Sequence, residues 1–272
     1  MVVRRVALAC ALACALFLGL SAAPPAARAE PLLLVGDEAH PPFSYDRGGE
    51  PAGIYVDVIR EALAMMPGVE ARIEVMPWKR ALKTVEQGQA AAVFPPYFWP
   101  QERPWMDYSA PILVESIVLV CRADVPDLDR RQYPTDYAGL VFLNNLGSLA
   151  PGPGLLEMAR QGKVTLMEMP GTEDAVRRLV DRGADCYVND RHAIEAGLAA
   201  LPPREHRAEL VLVQPVAGNQ GYLGYRKGAD IPGLAAFRAG FDRAVERMRR
   251  EGRIKAIIEN HTRGVSLAER TP

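Results

Sequence analysis

Short apolar runs alternate with amphipathic helical segments along most of this chain, and that order strongly limits the folds it can adopt. In the first unit, the apolar run at 32–35 and the alternating segment at 71–76 read as strands. Between them, the apolar residues of 54–66 share one helical face, and Pro67-Gly68 ends that helix. A strand–helix–strand order needs crossover connections, which are typical of parallel sheets. The sequence therefore predicts an α/β fold with mainly parallel sheets.

The remaining predicted elements follow the same alternation. Thr172 is placed to cap a helix at 173–182, because its hydroxyl oxygen can accept from free backbone N–H groups. Segments 40–49 and 95–105 are rich in Pro and Gly or aromatic residues and read as loops, and 218–221 reads as an interruption. Further strands are predicted at 90–94, 112–121, 140–143, 163–167, 185–189, 210–213 and 222–225, and further helices at 78–87, around 155–161, at 191–200 and at about 232–250.

These elements group into two α/β units, with the first interrupted by the second. The chain would pass between the units near Cys121 and return near Gly218. Two crossings give a hinge that opens and closes without free rotation. We therefore expect a first lobe from residues 30–121 and 218–272 and a second lobe from residues 122–217.

The first 29 residues have the three-part layout of a secretory signal. Arg4 and Arg5 precede an apolar run at 6–20, and Ala27-Arg28-Ala29 gives a small-x-small cleavage pattern before Glu30. A membrane anchor is the alternative, but the run is shorter than the ~20 residues of a bilayer span and Pro24-Pro25 soon follows. We expect a cleaved signal and a periplasmic protein.

Charge and cysteine content narrow the function classes. Without residues 1–29, the chain keeps 29 basic and 33 acidic residues, a net charge of −4, which argues against nucleic-acid binding. Four scattered histidines form no metal motif, so neither a metal nor another cofactor is expected. Export makes a disulfide between Cys121 and Cys186 possible. Because both lie in apolar strand-like runs, we expect two separate buried thiols.

Several short motifs, each weak alone, occur in an order that resembles an extracytoplasmic solute-binding protein of family 3, the type that serves polar amino-acid ABC importers. The resemblance extends from about residue 32 to 258 and implies a two-lobed periplasmic binding protein fold of type II. The motifs are Gly36-Asp37-x-x-His40-x-Pro42-Phe43, Gly53-x-x-Val56-Asp57-Val58, Trp78 with its helix to Gly88, Pro100-Gln101-Glu102-Arg103, Asp107-Tyr108-Ser109-Ala110-Pro111, Gly147-Ser148, Gly183-Ala184-Asp185-x-x-x-x-Asp190 and Tyr225-Arg226-Lys227-Gly228.

The resemblance implies an amino-acid ligand held between the lobes. Arg103 falls where the family's arginine pairs with the ligand carboxylate, and Asp190 where an aspartate pairs with the ammonium. A planar guanidinium can hold a carboxylate through two parallel hydrogen bonds. A ligand that bridges both lobes would favour the closed state. The alternative is that both are ordinary surface charges.

Other ligand-binding positions are implied in the same way. Trp78 matches the aromatic wall that stacks on the ligand, although core packing would also explain it. His40 falls where the family often has a tyrosine, and the alternative is an exposed loop histidine. Asp37 matches a side-chain specificity position. Tyr97, Phe98 and Ser148 complete the predicted set of ligand-binding residues.

The chain departs from the family pattern at three positions. Pro96 and Phe98 stand where amino-acid binders carry hydroxyl side chains, and Leu149 replaces the threonine after Gly147-Ser148. Each lost hydrogen bond to a buried group costs about 1 kcal/mol or more. The ligand is therefore expected to be a more apolar or aromatic amino acid, a small peptide or another carboxylate.

Two other functions remain open from the sequence. An enzyme resembling the exported cyclohexadienyl dehydratases would need a general acid, for which Glu102 and Asp190 are candidates, but no nucleophile elbow of the form Gly-x-Ser-x-Gly is present. A binding protein that feeds a sensor is the second. The sequence favours a monomeric, non-enzymatic solute-binding protein that delivers a small carboxylate-bearing solute to an inner-membrane ABC permease.

Overall fold

The computed structural model describes residues 30–128, 132–202 and 208–263. The predicted secretory signal lies outside this range. From Pro31 onward the described residues belong to one compact unit. Its strands are β1 (Leu32–Asp37), β2 (Ala39–His40), β3 (Ser44–Arg47), β4 (Glu50–Ala52), β5 (Ala71–Met76), β6 (Ala92–Phe94), β7 (Met106–Tyr108), β8 (Leu113–Arg122), β9 (Val141–Asn145), β10 (Thr165–Met169), β11 (Cys186–Asp190), β12 (Leu210–Gly221) and β13 (Gly224–Arg226). Its helices are α1 (Ile54–Ala64), α2 (Trp78–Glu86), α3 (Gly152–Arg160), α4 (Thr172–Val180), α5 (Arg191–Ala200), α6 (Leu234–Arg250) and α7 (Arg253–His261).

The first sheet has the strand order β5-β1-β6-β13-β7. Strand β1 is parallel to β5 and β6, whereas β13 runs antiparallel to β6 and β7. The buried positions of β1 are nearly continuous because helices cover both faces of the sheet. Helix α1 buries Val58, Ile59 and Ala62 in the same core as Phe237 and Phe241 of α6. We call this sheet with its helices lobe 1.

The second sheet has the order β10-β9-β11-β8-β12 and forms lobe 2 with α3, α4 and α5. Strands β10, β9 and β11 are parallel, and β8 and β12 are antiparallel. Each sheet is therefore mixed. The two-lobed α/β fold is as predicted, with parallel pairing concentrated in the half of each sheet that is built from strand–helix–strand units.

The two lobes are connected by β8 and β12, which pair from Leu113↔Gly221 to Arg122↔Leu210. Apart from an isolated bridge between Gly221 and Tyr97, residues 113–116 and 218–221 pair with each other and with no further strand of the described residues, and we call this two-stranded segment the crossing ribbon. The prediction that 218–221 interrupts the strand was wrong. The hydrogen bonds to β8 hold these polar residues in a strand without an apolar pattern, and the bulges of β12 lie earlier, between Leu212 and Gln214 and between Pro215 and Ala217.

Three other predictions differ from the structure. Gly171, not Thr172, precedes α4 at its N-cap position, and Thr172 is the first helical residue with a fully buried side chain. Segment 40–49 contains β3 and part of a small antiparallel sheet, β2-β3-β4. Helix α7 was missed because Gly252 interrupts the pattern of α6 just before it begins.

Cys121 and Cys186 form a disulfide, so the expectation of two separate thiols was wrong. The two cysteines are directly opposite each other on the antiparallel strands β8 and β11. Both are fully buried in the core of lobe 2. This register joins residues 65 positions apart and could not be read from two separate apolar runs.

None of the helices in the described part of the chain is long and apolar enough to cross a membrane.

Candidate functional site

A narrow cavity lies between the lobes at the ends of their parallel strands. Asp37 ends β1, Pro95 follows β6, and Asn145 ends β9, so the carboxyl edges of both sheets face the same space. This edge is where open α/β sheets usually bind ligands. The lining residues are Asp37, His40, Trp78, Pro95, Tyr97, Arg103, Asn145, Ser148, Leu149 and Asn189.

Six of the eight predicted ligand-binding residues line this cavity: Asp37, His40, Trp78, Tyr97, Arg103 and Ser148. His40 is only 7% exposed, so it is not an exposed loop histidine, which was the alternative interpretation. Trp78 is half-buried at the start of α2 and lies on the cavity wall. Leu149, which stands where the family has a threonine, adds an apolar surface.

Arg103 is a buried cation whose side chain faces the cavity. Only 7% of the residue is exposed, and no carboxylate within the described ranges lies within ion-pair distance of its guanidinium. The guanidinium carbon lies 5.6 Å from the centroid of the Trp78 ring, close enough for a cation–π contact. Burial lowers the pKa of Arg103 from its usual value. A desolvated cation without an acidic partner is suited to binding an anionic group.

Asp37 supplies a carboxylate to the same cavity. Its Oδ1 accepts a hydrogen bond from the backbone N–H of Ala39 at 3.0 Å. Burial raises the pKa of Asp37 to about 6, although His40 acts in the opposite direction. The cavity therefore contains a guanidinium and, above pH 6, a carboxylate, both contributed by lobe 1.

Replacing Asp37 with asparagine is expected to stabilise the ligand-free protein at neutral pH. A folded-state pKa near 6 against 3.8 for the unconstrained carboxyl means that stability falls as pH rises through this window. Such a shift corresponds to about 3 kcal/mol, part of which is offset in the variant because the asparagine amide must also be buried. Urea denaturation should show an unfolding free energy about 1–2 kcal/mol higher for the variant at pH 7.5, with most of that difference absent at pH 4.

Glu86→Gln is the matched control, because Glu86 is an exposed acid on α2 of the same lobe. Its effect should be small at both pH values. Equal unfolding free energies of Asp37→Asn and the wild type at pH 7.5 would contradict the conclusion that the buried Asp37 carboxylate destabilises the folded state.

Lobe 2 contributes two amides that sequence analysis missed, Asn145 and Asn189. Both Nδ2 groups donate to the hydroxyl of Thr172, at 3.0 and 3.3 Å. The Tyr187 hydroxyl donates to Asn145 and accepts from Asn189. The position of each asparagine at the end of a parallel strand was the available sequence signal. The polar part of the lobe-2 wall is thus uncharged and held in place by its own hydrogen bonds.

Asp190 is not among the residues that line the cavity. It caps α5: its Oδ1 accepts from the backbone N–H groups of His192 and Ala193, and its Oδ2 accepts from Ser116. The residue is 0% exposed, and burial together with nearby Glu115 raises its pKa well above the usual range. Asp190 is therefore used as a helix cap in this structure, and its pairing with a ligand ammonium stays a prediction.

Phe98 also lies away from the cavity. It is 58% exposed, and its ring packs against those of Tyr108 and Tyr222 on the outer surface. The neighbouring Tyr97 points inward instead. The apolar walls are formed by Trp78, Pro95 and Leu149, not by Phe98.

The lobes are in contact around the cavity. Lys79 of α2 forms an ion pair with Glu168 of β10 at 3.2 Å. The Nδ1 of His40 lies 3.4 Å from the Thr172 hydroxyl, and a Cβ atom on Gly171 would overlap Ala39. These contacts between residues of different lobes describe a closed cleft.

The chain has two α/β lobes, a two-stranded crossing ribbon and a closed cleft whose buried cation has no acidic partner among the described residues. These features define a two-lobed ligand-binding protein. The chain belongs to the bacterial extracellular solute-binding proteins, family 3, whose model matches residues 32–263. No curated protein matches the chain.

Solved structures share this fold. A histidine kinase sensor domain with similarity to periplasmic binding proteins has a TM-score of 0.70 and 21% identity, over 89% of this chain and 99% of that one. The arginine-, lysine-, histidine-binding protein ArtJ from Geobacillus stearothermophilus has a TM-score of 0.69 and 15% identity, over 87% and 97%. The ancestral amino acid-binding protein AncCDT-1, a precursor of cyclohexadienyl dehydratase, has a TM-score of 0.66 and 18% identity, over 86% and 95%. At these identities the similarity shows the fold alone.

Proposed function

We propose that this protein captures a small carboxylate-bearing solute between its lobes and delivers it to an ABC importer. The observation that carries the proposal is the buried guanidinium of Arg103, which faces the cavity without an acidic partner among the described residues. Keeping a cation out of water costs free energy unless an anion pairs with it. A ligand carboxylate would supply that anion through two parallel hydrogen bonds.

The other cavity residues narrow the ligand further. Asp37 offers a carboxylate to a positively charged or hydrogen-bond-donating group, and Asn145 and Asn189 offer amides. Trp78 and Leu149 give apolar surfaces between these polar groups. A zwitterion such as an amino acid matches this arrangement, with its cationic group recognised by Asp37 instead of Asp190.

Binding is favoured over catalysis by the positions of the two acids that the sequence offers as general acids. Glu102 is exposed, and Asp190 is buried as a helix cap, so neither lines the cavity. A general acid must reach the group that it protonates.

Transport is the partner function that the family and the predicted secretory signal support. Genes for a permease and an ATPase beside this one would agree with it. A neighbouring sensor kinase gene would favour signalling through the same cleft.

The ligand class can be tested by thermal-shift screening of the mature chain against matched pairs of solutes. Each pair consists of an amino acid, small peptide or organic acid and the same molecule with its carboxylate converted to an amide. At least one carboxylate should raise the melting temperature of the protein, and the corresponding amide should not. The amide lacks the negative charge with which Arg103 is proposed to pair. Equal stabilisation by both members of every active pair would contradict the proposal.

A further inference from the structure

Glu115 is a buried acid on the crossing ribbon, and its side chain is 0% exposed. The alternation of β8 turns Glu115 inward while the neighbouring Val114 is 59% exposed. An isolated carboxylate in such a place would be costly, so its partners explain why it is tolerated.

In the described part of the chain, the side-chain partners of Glu115 all come from lobe 1. The Tyr55 hydroxyl of α1 donates to Oε1 at 2.7 Å, and the Tyr97 hydroxyl donates to Oε2 at 2.6 Å. The Nε2 of His40 lies 3.4 Å from the same Oε2. Burial, with the charge of Glu115, raises the pKa of both tyrosines well above the usual range, so they remain donors.

The backbone is shaped to allow this contact. Gly221, on the opposite strand of the crossing ribbon, lies so close to the Tyr55 hydroxyl that a Cβ atom there would overlap it. Tyr97 forms an isolated β-bridge with the same glycine. The ribbon is therefore held against lobe 1 through both its strands.

Two of the three partners also belong to the cavity wall. His40 and Tyr97 line the cavity, and the other ring nitrogen of His40 lies 3.4 Å from Thr172 of lobe 2. Thr172 in turn accepts from the two cavity amides. A continuous set of contacts thus runs from Glu115 through His40 to the lobe-2 wall.

We propose that Glu115 is a positioning residue, which holds the crossing ribbon against lobe 1 and orients His40 and Tyr97 for the closed cleft. This inference depends on the proposed function in one respect only: the cleft that Glu115 shapes is taken to be the ligand-binding site. Glu115 itself does not line the cavity.

The charge of His40 depends on its surroundings. Burial disfavours the imidazolium, but Glu115, then Asp37 of β1 and Asp190 of β11, favour it, and the pKa of His40 is raised overall. Thr172 of α4 is the uncharged polar group on the remaining side. Glu115 makes the largest favourable contribution, so its loss should be visible in the titration of this histidine.

Glu115→Gln keeps the shape of the side chain and removes its charge. The His40 resonance, assigned by comparison with His40→Gln, should titrate in NMR with a lower pKa in Glu115→Gln than in the wild type. Glu157→Gln, an exposed acid on α3, is the control and should leave that pKa unchanged. An unchanged His40 pKa in Glu115→Gln would overturn the proposal.

Closure can be measured without any ligand through the Lys79–Glu168 ion pair, which joins the two lobes. A zero-length carbodiimide crosslinker followed by peptide mapping reports how often these side chains meet. The yield should fall about fivefold in Glu115→Gln and also fall in Tyr55→Phe, as expected for losing a buried hydrogen bond. The yield between Lys255 and Glu259, both on α7, is the internal control and should not change.

An undiminished Lys79–Glu168 yield in folded Glu115→Gln and Tyr55→Phe would overturn the proposal. Because neither measurement involves a solute, failure here is distinguishable from failure of the carboxylate screen, which tests Arg103 and the ligand class.

Discussion

Replacing Arg103 with alanine is expected to abolish ligand-dependent thermal stabilisation while the protein stays folded. Among the described residues that line the cavity, Arg103 is the only Arg or Lys, so the variant has no equivalent group there to pair with a ligand carboxylate. Truncating one side of a buried charge pair costs about 2–5 kcal/mol, which corresponds to a loss of affinity of about 30-fold to several thousand-fold. Isothermal titration with the most stabilising solute of the screen measures this loss.

The ligand-free Arg103→Ala variant should be at least as stable as the wild type. Burial already lowers the pKa of Arg103, which shows that the folded state holds this charge at a cost. Arg103→Lys should recover only part of the affinity, because an ammonium cannot form the two parallel hydrogen bonds. Arg80→Ala, at an exposed arginine of α2, is the matched control and should bind normally. Undiminished binding by Arg103→Ala would remove the basis of the proposed function.

Removing the Cys121–Cys186 disulfide is expected to lower the unfolding free energy more than any other substitution proposed here. The bond closes a 65-residue separation, and in the chain-entropy model a loop of this length stabilises the folded state by about 4 kcal/mol. The double variant Cys121→Ala/Cys186→Ala should therefore unfold at a clearly lower urea concentration. Because alanine also leaves space in the core of lobe 2, Cys121→Val/Cys186→Ala separates lost packing from lost crosslinking.

The wild type itself provides the control for this prediction. Both cysteines are fully buried, so a reductant should reach the disulfide only as the protein unfolds. The reductant should then lower the urea midpoint of the wild type toward the midpoints of the double variants. A wild-type midpoint that is identical with and without reductant under unfolding conditions would contradict a stabilising disulfide.

Most elements of the fold could be predicted from sequence because their burial is periodic. The helix at 191–200 and the strand at 71–76 have the predicted bounds. Ile194 of the helix packs in a core of lobe 2, and Ile73 of the strand packs against a core of lobe 1. The crossing ribbon could not be predicted in this way. Its residues 218–221 are polar, and they form a strand only because β8 pairs with them.

Asp37 and Arg103 were predicted from the family resemblance: Asp37 ends the parallel strand β1, whereas Arg103 lies in the loop between β6 and β7. The site was harder to predict where the side chains of neighbouring residues point in different directions. Successive side chains on a strand point to opposite faces, and Asn189 faces the cavity while Asp190 does not. Asp190 directly precedes a helix, where aspartate is a preferred N-cap, and that signal competes with the role implied by resemblance. The register that pairs Cys121 with Cys186 and the partners of Glu115 depend on long-range packing, which no local pattern records.

The central claim is most directly tested by a crystal structure of the mature protein with the most stabilising carboxylate of the screen. We expect the carboxylate to lie within hydrogen-bond distance of both terminal nitrogens of Arg103, in a cleft closed by lobe 2. A carboxylate bound elsewhere in the cleft, with no contact to that guanidinium, would contradict it.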